Sequence, residues 1–310
     1  MLNGAKIVLE AVIGPAHARD TKWTNRRLYL DFGERLNDLL MRSPRTEYFS
    51  DERPIFLFAS GWRSGSTLLQ RMLMHHDEGL LIWGEPFAHC NLIDTLMAQI
   101  RAFTPNYPNK RWFPEDVGLN DLSRKWVANL YPPLEYFCES HAVFLKTMFE
   151  KPALMMGKNR WGIKEVRFGK DHAFYLKWLF PRSYFIFIVR NPVDAYASYR
   201  RFRNWYRYWP EHIVMTPRQF GRHWRLLTEE FLNNKDKLGA IFLRYEDLSR
   251  SETIRQLSDF IGQKIGTPEE VGMVSGPKGE EWEDIRKIPW VEEFILRRTI
   301  GKALQAAGYS

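Results

Sequence analysis

The sequence predicts an α/β fold in which a P-loop-like central parallel β-sheet carries helices on both faces. Five β-rich apolar runs, near residues 54–60, 80–84, 160–166, 184–190 and 240–246, are each followed by a helical pattern. That alternation builds a parallel sheet whose crossover helices cover both faces. The first run passes directly into a glycine loop rich in hydroxyls and then into a helix. The chain has 310 residues, 45% of them hydrophobic, which suffices for a sizeable core. No internal repeat or low-complexity tract interrupts it. It reads as a single domain over 1–310, with 1–50 an N-terminal extension of unassigned role.

The first element is Pro54-Ile55-Phe56-Leu57-Phe58-Ala59-Ser60-Gly61-Trp62-Arg63-Ser64-Gly65-Ser66-Thr67-Leu68-Leu69-Gln70. Ile55 to Ala59 has the length and composition of a central strand, and Gly61 and Gly65 let the backbone turn tightly. Ser66-Thr67 followed by Leu68-Leu69 starts an apolar helix. Unpaired amides at that helix start and the positive end of its dipole attract phosphate oxygens, with Ser64, Ser66 and Thr67 supplying hydroxyls. An ATP- or GTP-type loop requires Gly-x-x-x-x-Gly-Lys-Ser/Thr, but Ser60 and Ser66 stand in place of the first Gly and the Lys. Arg63 is the loop's one cation, so the expected donor is a phosphorylated nucleotide other than an NTP.

After the second run comes Glu85, in Leu81-Ile82-Trp83-Gly84-Glu85-Pro86-Phe87. It lies on the edge where parallel sheets collect their ligands, among apolar neighbours that raise a carboxyl pKa; a helix-start carboxylate is the other reading. The third run gives Trp161-Gly162-Ile163-Lys164-Glu165-Val166-Arg167, with Lys164 at the strand end facing either a site or water. The fourth ends in Arg190-Asn191-Pro192, which puts Arg190 at the strand tip and Ser198 about two turns into the next helix. Alone, that segment is also an ordinary helix start. The fifth continues as Leu243-Arg244-Tyr245-Glu246-Asp247-Leu248 and a helix ending at Phe260-Ile261-Gly262. Ala102 to Pro114 and the aromatic stretch Phe202 to Pro217 read as surface loops, either an acceptor pocket or lid or packed against the core.

In this order the segments resemble the sulfotransferases that use 3′-phosphoadenosine 5′-phosphosulfate (PAPS). The resemblance implies the sulfotransferase fold, and that the loop Arg63, Ser64, Gly65, Ser66, Thr67 and Leu68 holds the 5′-phosphosulfate. It likewise implies that Arg190 and Ser198 hold the 3′-phosphate and that Tyr245 lies near the adenine. Pro277-Lys278-Gly279 before Trp282 echoes the basic-glycine loop that closes over the 3′-phosphate, so Lys278 and Gly279 join the set. Glu85 matches the general base of the tyrosylprotein and carbohydrate branches. Lys164 matches the Lys that stabilises the leaving group, with Arg63 beside it and Arg167 placed to orient the acceptor or that Lys. The phenol and steroid enzymes put a catalytic His two residues after the Lys, where this chain has Val166, so the likeness is closer to the Glu-base and bacterial types. His89 and His172 are fallback bases. The resemblance runs from about residue 54 to the end; 1–50 has no counterpart, and about 100–158 is undiagnostic.

Such an enzyme (EC 2.8.2 type) requires a base for the acceptor's proton and a cation for the departing adenosine 3′,5′-bisphosphate, and no metal. The expected partner is a small-molecule alcohol or amine, with sugar, lipid and protein acceptors open. A nucleotide or small-molecule kinase shares the sheet but needs the missing loop Lys. A nucleic-acid-binding module would use the net charge of +8 and the stretch Tyr199 to Trp209; neither a nucleic-acid partner nor a membrane span is expected. Cys90 and Cys138 lack metal-ligand spacing and suggest reduced thiols. The apolar stretch Ile7 to Ile13 is short and holds Glu10, so the chain reads as soluble and cytoplasmic. Oligomeric state is left open.

Overall fold

The computed structural model describes residues 32–42, 52–85, 92–101, 103, 108–200, 214–272 and 288–310. These fall into two compact units, one drawn from 1–44 and 98–134, the other from 45–97 and 135–310.

The larger unit is built on five strands, β1 (Ile55–Ala59), β2 (Leu80–Trp83), β3 (Arg160–Glu165), β4 (Tyr184–Val189) and β5 (Ile241–Arg244). All five sequence-predicted strands form, and they pair in parallel in the order β2-β3-β1-β4-β5. β1 is buried along its whole length, which explains why its sequence is continuously apolar rather than alternating. Ile55, Leu57, Ala59, Ile186 and Ile188 enter one core. The opposite pleat carries Phe56, Phe58, Phe185 and Phe187, an aromatic layer in which Phe187 stacks on Phe231 at 4.4 Å. From β1 the chain first crosses to β2 on one side and later to β4 on the other. That reversal makes the carboxyl edge beside β1 the topological switch point, where open α/β sheets bind ligands.

The longer helices are α1 (Phe32–Arg42), α2 (Ser66–His75), α3 (Leu92–Arg101), α4 (Leu134–Leu145), α5 (Lys170–Leu179), α6 (Pro192–Arg200), α7 (Pro217–Leu238), α8 (Ser251–Ile261) and α9 (Trp290–Ile300). α2 buries Leu69, Met72 and Leu73 at helical spacing. α7 opens with a capping box between Thr216 and Gln219, with Pro217 in its first turn, and it stops at Gly239 in the left-handed region. Phe220, Trp224, Leu227 and Phe231 form its buried stripe.

The stretch undiagnostic in sequence holds α4, a π-helical turn Lys146–Glu150 and a short helix Lys151–Met155. Ala142 and Leu145 are buried, whereas Tyr136, Val143 and Phe144 are exposed. Apolar residues therefore surround α4 and hide its period. The π turn ends two residues before Pro152, which has no N–H to continue an α-helical ladder.

The smaller unit includes α1, which buries Phe32, Leu36 and Leu39. Its Arg35 donates to the carbonyls of Arg101 and Phe103. Ala102 to Pro114, expected as one loop, contains a 3-10 turn at Lys110–Trp112 within its described residues, because the Asn109 carbonyl accepts from the Trp112 amide at 3.0 Å.

Candidate active site

The loop after β1 reverses within a few residues because its backbone enters the left-handed region three times, at Gly61 (φ 106°), Arg63 (φ 64°) and Gly65 (φ 83°). Ser64 is buried, and its hydroxyl donates to the Gly61 carbonyl at 2.7 Å, so it braces the loop from inside. Ser66 is buried at the first position of α2, Thr67 is exposed and Leu68 is half-buried. The first amides of α2 and the positive end of its dipole thus lie at the loop. Gly65 is demanded twice, since beyond its positive φ a Cβ there would stand 2.0 Å from Cδ2 of Tyr245. Tyr245, immediately after β5, therefore packs directly on the loop backbone.

Segments far apart in sequence converge on this loop. Arg190, just past β4 and 7% exposed, donates from Nη1 to the Arg63 carbonyl at 3.1 Å. Its guanidinium lies 4.5 Å from the centre of the Tyr245 ring, close enough for a cation–π contact. Arg63 Nε donates to Ser198 Oγ on α6 at 2.9 Å. The structure therefore brings Arg63, Gly65, Arg190, Ser198 and Tyr245 together.

A support for this cluster was not read from the sequence. The side chain of Asn191 accepts from the Val193 amide at 3.0 Å, capping α6. The backbone N–H of Asn191 donates to Glu246 Oε1 at 2.8 Å, and Glu246 Oε2 accepts from the Tyr309 hydroxyl at 2.7 Å. Trp224 Nε1 donates to the Arg190 carbonyl at 3.0 Å. The C-terminal residues thereby help to fix the turn that carries Arg190, and no local pattern around Tyr309 announces this.

Glu85 and Lys164 lie on adjacent strand ends, β2 and β3, where Trp83 is level with Ile163. Lys164 Nζ donates to Glu85 Oε1 in a mostly buried ion pair. Burial pushes the Glu85 carboxyl above the ordinary carboxylate range; Lys164 pulls it back down and the Glu165 charge raises it further. Lys164 is level with Leu57 of β1, two residues from the end of the strand that feeds the loop.

Beside this pair sits a second one. Glu165 is fully buried and accepts from Arg167 Nε at 2.9 Å and Nη2 at 2.5 Å, and from the Val166 amide at 2.8 Å. Arg167, expected to orient the acceptor or Lys164, is joined to Glu165 in this bidentate pair. Glu165 was missed in sequence although its alternation with Arg167 is a local signal. The Val166 carbonyl meets His223 Nε2 at 3.3 Å, and the His223 ring stacks on Trp62 with centroids 4.9 Å apart.

His172 is used structurally. Its Nε2 pairs with Asp94 at 3.0 Å, its Nδ1 accepts from the Gly169 amide at 3.3 Å, and its ring stacks on Phe168. Both ring nitrogens are engaged at the start of α5. His89, Cys90, Lys278, Gly279 and residues 201–213 lie outside the described residues. A groove of about 350 Å³ follows edge strand β5, lined by Phe242, Arg244, Asp247, Gln256 and Gly308 among others. Glu85, Lys164, Arg63 and Arg190 do not line it.

Residues 54–265 match the sulfotransferase family. Solved structures to which the chain is similar include the sulfotransferase domain of the Synechococcus PCC 7002 olefin synthase, 18% identical over 83% of this chain and 94% of that one, with a TM-score of 0.43. A sulfotransferase from Alicyclobacillus acidocaldarius is 18% identical over 83% and 99% of the two chains, TM-score 0.39. A mouse sulfotransferase complexed with PAP is 13% identical over 88% and 82%, TM-score 0.33. No curated protein matches the sequence. Among the described residues no helix is long and apolar enough to cross a membrane.

Proposed function

The chain belongs to the sulfotransferase family, and from that premise we propose that it transfers a sulfuryl group from PAPS to a hydroxyl or amine of a small-molecule acceptor, with Glu85 as general base. The observation that carries this reading is the meeting of Arg63, Arg190, Ser198 and Tyr245 at the loop that opens α2. Two arginines, a hydroxyl and a helix start suit a ligand bearing phosphate charge at two places. The aromatic ring beside them suits a nucleobase. With Ser66 where a kinase loop carries its Lys, the same site is poorly built for an NTP.

The donor supplies an activated sulfuryl group whose leaving group is adenosine 3′,5′-bisphosphate. The chain's own residues do the rest. The backbone of the loop at 63–68 and the Arg63 side chain bind the 5′ end, and Arg190 and Ser198, joined by Lys278 and Gly279, bind the 3′-phosphate. Glu85 accepts the proton of the acceptor O–H or N–H as the new bond to sulfur forms and the sulfur–oxygen bond to the 5′-phosphate breaks. A raised pKa makes Glu85 a stronger base than an exposed carboxylate. As Glu85 takes the proton it loses its charge, and the Lys164 ammonium becomes available to the charge growing on the departing oxygen.

The test is Glu85→Gln, which keeps the shape and a hydrogen-bond acceptor for Lys164 but removes the basic carboxylate. Binding of adenosine 3′,5′-bisphosphate should stay near that of the parent, while turnover with any acceptor falls by about 10² or more. Full activity in Glu85→Gln would remove Glu85 from the mechanism.

A further inference from the structure

We infer that His75, His76 and Glu270 form a surface site for one divalent ion of the zinc class, separate from sulfuryl transfer. The three side chains each offer a ligand atom, and these atoms lie within 4.8 Å of one another. His76 Nε2 and Glu270 Oε2 are 3.4 Å apart. A four-coordinate zinc ion with nitrogen and oxygen ligands at about 2.0–2.2 Å needs neighbouring ligand atoms about 3.3–3.6 Å apart. The His76–Glu270 edge already has that span, and the His75 ligand atom, within 4.8 Å of both, would have to move closer to complete the set.

The backbone under these residues is fixed from several directions. His75 is the last residue of α2 and His76 caps it. The Gly266 amide donates to the Met72 carbonyl at 2.8 Å, which ties the chain ahead of Glu270 to the same helix end. Gly266 also permits the approach, because a Cβ there would lie 2.7 Å from that of His75. Arg71 reaches across from α2 to the carbonyls of Val271 and Gly272. It thereby holds the short helix Pro268–Val271 that carries Glu270. Glu270 Oε2 also accepts from the Thr267 amide at 2.7 Å, which orients the carboxylate as an outer hydrogen bond does for a metal ligand.

Chemistry and charge agree on the kind of ion. Two imidazoles and one carboxylate suit zinc, nickel or copper, whereas calcium and magnesium prefer oxygen ligands throughout. The negative end of the α2 dipole adds a preference for a cation. All three residues are exposed, so an ion can enter and water can fill the remaining position. The ten residues of α2 put about 15 Å between this cluster and the loop at the helix start. A bound ion would clamp the end of α2 to the segment at 266–271 without touching the transfer chemistry.

The test uses the full chain and the metal alone. Calorimetric titration with Zn²⁺ should show one ion per chain in the micromolar range. His75→Ala and Glu270→Gln should each weaken it at least tenfold, and His75→Ala/His76→Ala should abolish it. Co²⁺ should give a visible absorption band of low coordination number in the parent protein and not in the double variant, with both proteins showing the same circular dichroism. One-to-one binding that survives in the double variant, or no one-to-one binding in the parent, overturns the inference. Because neither readout depends on PAPS or turnover, a failure here leaves the sulfotransferase reading untouched, and the converse holds.

Discussion

Gly65→Ala probes how the loop, Tyr245 and Arg190 depend on one another. At φ 83° a residue with a Cβ is strained by about 1–2 kcal/mol. The added carbon would also stand 2.0 Å from Cδ2 and 2.6 Å from Cε2 of Tyr245. Ordinary carbon contacts lie at about 3.5–4.0 Å, so the ring must retreat by about 1.5 Å. That ring carries the Arg190 guanidinium at 4.5 Å, a contact worth about 0.5–2 kcal/mol. The expected loss is about 2–3 kcal/mol of stability in urea denaturation. Displacing Arg190 should also weaken binding of adenosine 3′,5′-bisphosphate about two- to thirtyfold. The double variant Gly65→Ala/Tyr245→Ala removes the clash and keeps the backbone strain. A double-mutant cycle should therefore show the two changes to be less than additive by about 1 kcal/mol or more. If Gly65→Ala costs under about 0.5 kcal/mol, or if the two changes add, Tyr245 does not rest on the loop as described.

Two pH effects follow from buried groups. With Glu85 as the proposed base, its raised pKa should place the acidic limb of kcat/KM above the ordinary Glu value of about 4.3. Lys164→Met removes the partner that lowers this pKa, so the limb should move further up while the rate falls; a limb at the ordinary value, or one that moves down, contradicts the assignment. His141 is held neutral, its pKa lowered from 6.5 to about 4 by burial, with Nδ1 2.7 Å from the Tyr175 hydroxyl and Nε2 buried without a hydrogen-bond partner among the described residues. The unfolded chain binds the proton first as pH falls through 6.5, so His141 contributes fully above that pH and its contribution is lost toward pH 4. Between pH 7.5 and 5 that is a loss of about 2 kcal/mol. A flatter urea midpoint against pH in His141→Phe would bear this out, and an unchanged slope would not.

Much of the fold was legible because each strand announces itself locally. β1 and β4 are unbroken apolar runs, and Gly65-Ser66 and Asn191-Pro192 mark where helices begin. Local rules reach no further than a few residues. α4 escaped because its apolar residues ring the helix, and the π turn before Pro152 has no period of its own. The residues of the site were legible as types, but their partnerships were not. The pairing of Arg63 with Ser198 depends on α6 returning to the β1 loop, and that of Glu246 with Tyr309 on where the chain ends. Each spans more than 60 residues. The His75, His76 and Glu270 cluster was hidden for the same reason, since Gly266 brings it together only in three dimensions.

The most direct test of the account is calorimetric titration of the protein with adenosine 3′,5′-bisphosphate, with 5′-AMP and ATP run alongside and Arg190→Ala as the variant. Tight one-to-one binding that requires the 3′-phosphate and weakens at least tenfold in Arg190→Ala is the expected result. No binding, or ATP binding as tightly as the bisphosphate, would contradict it.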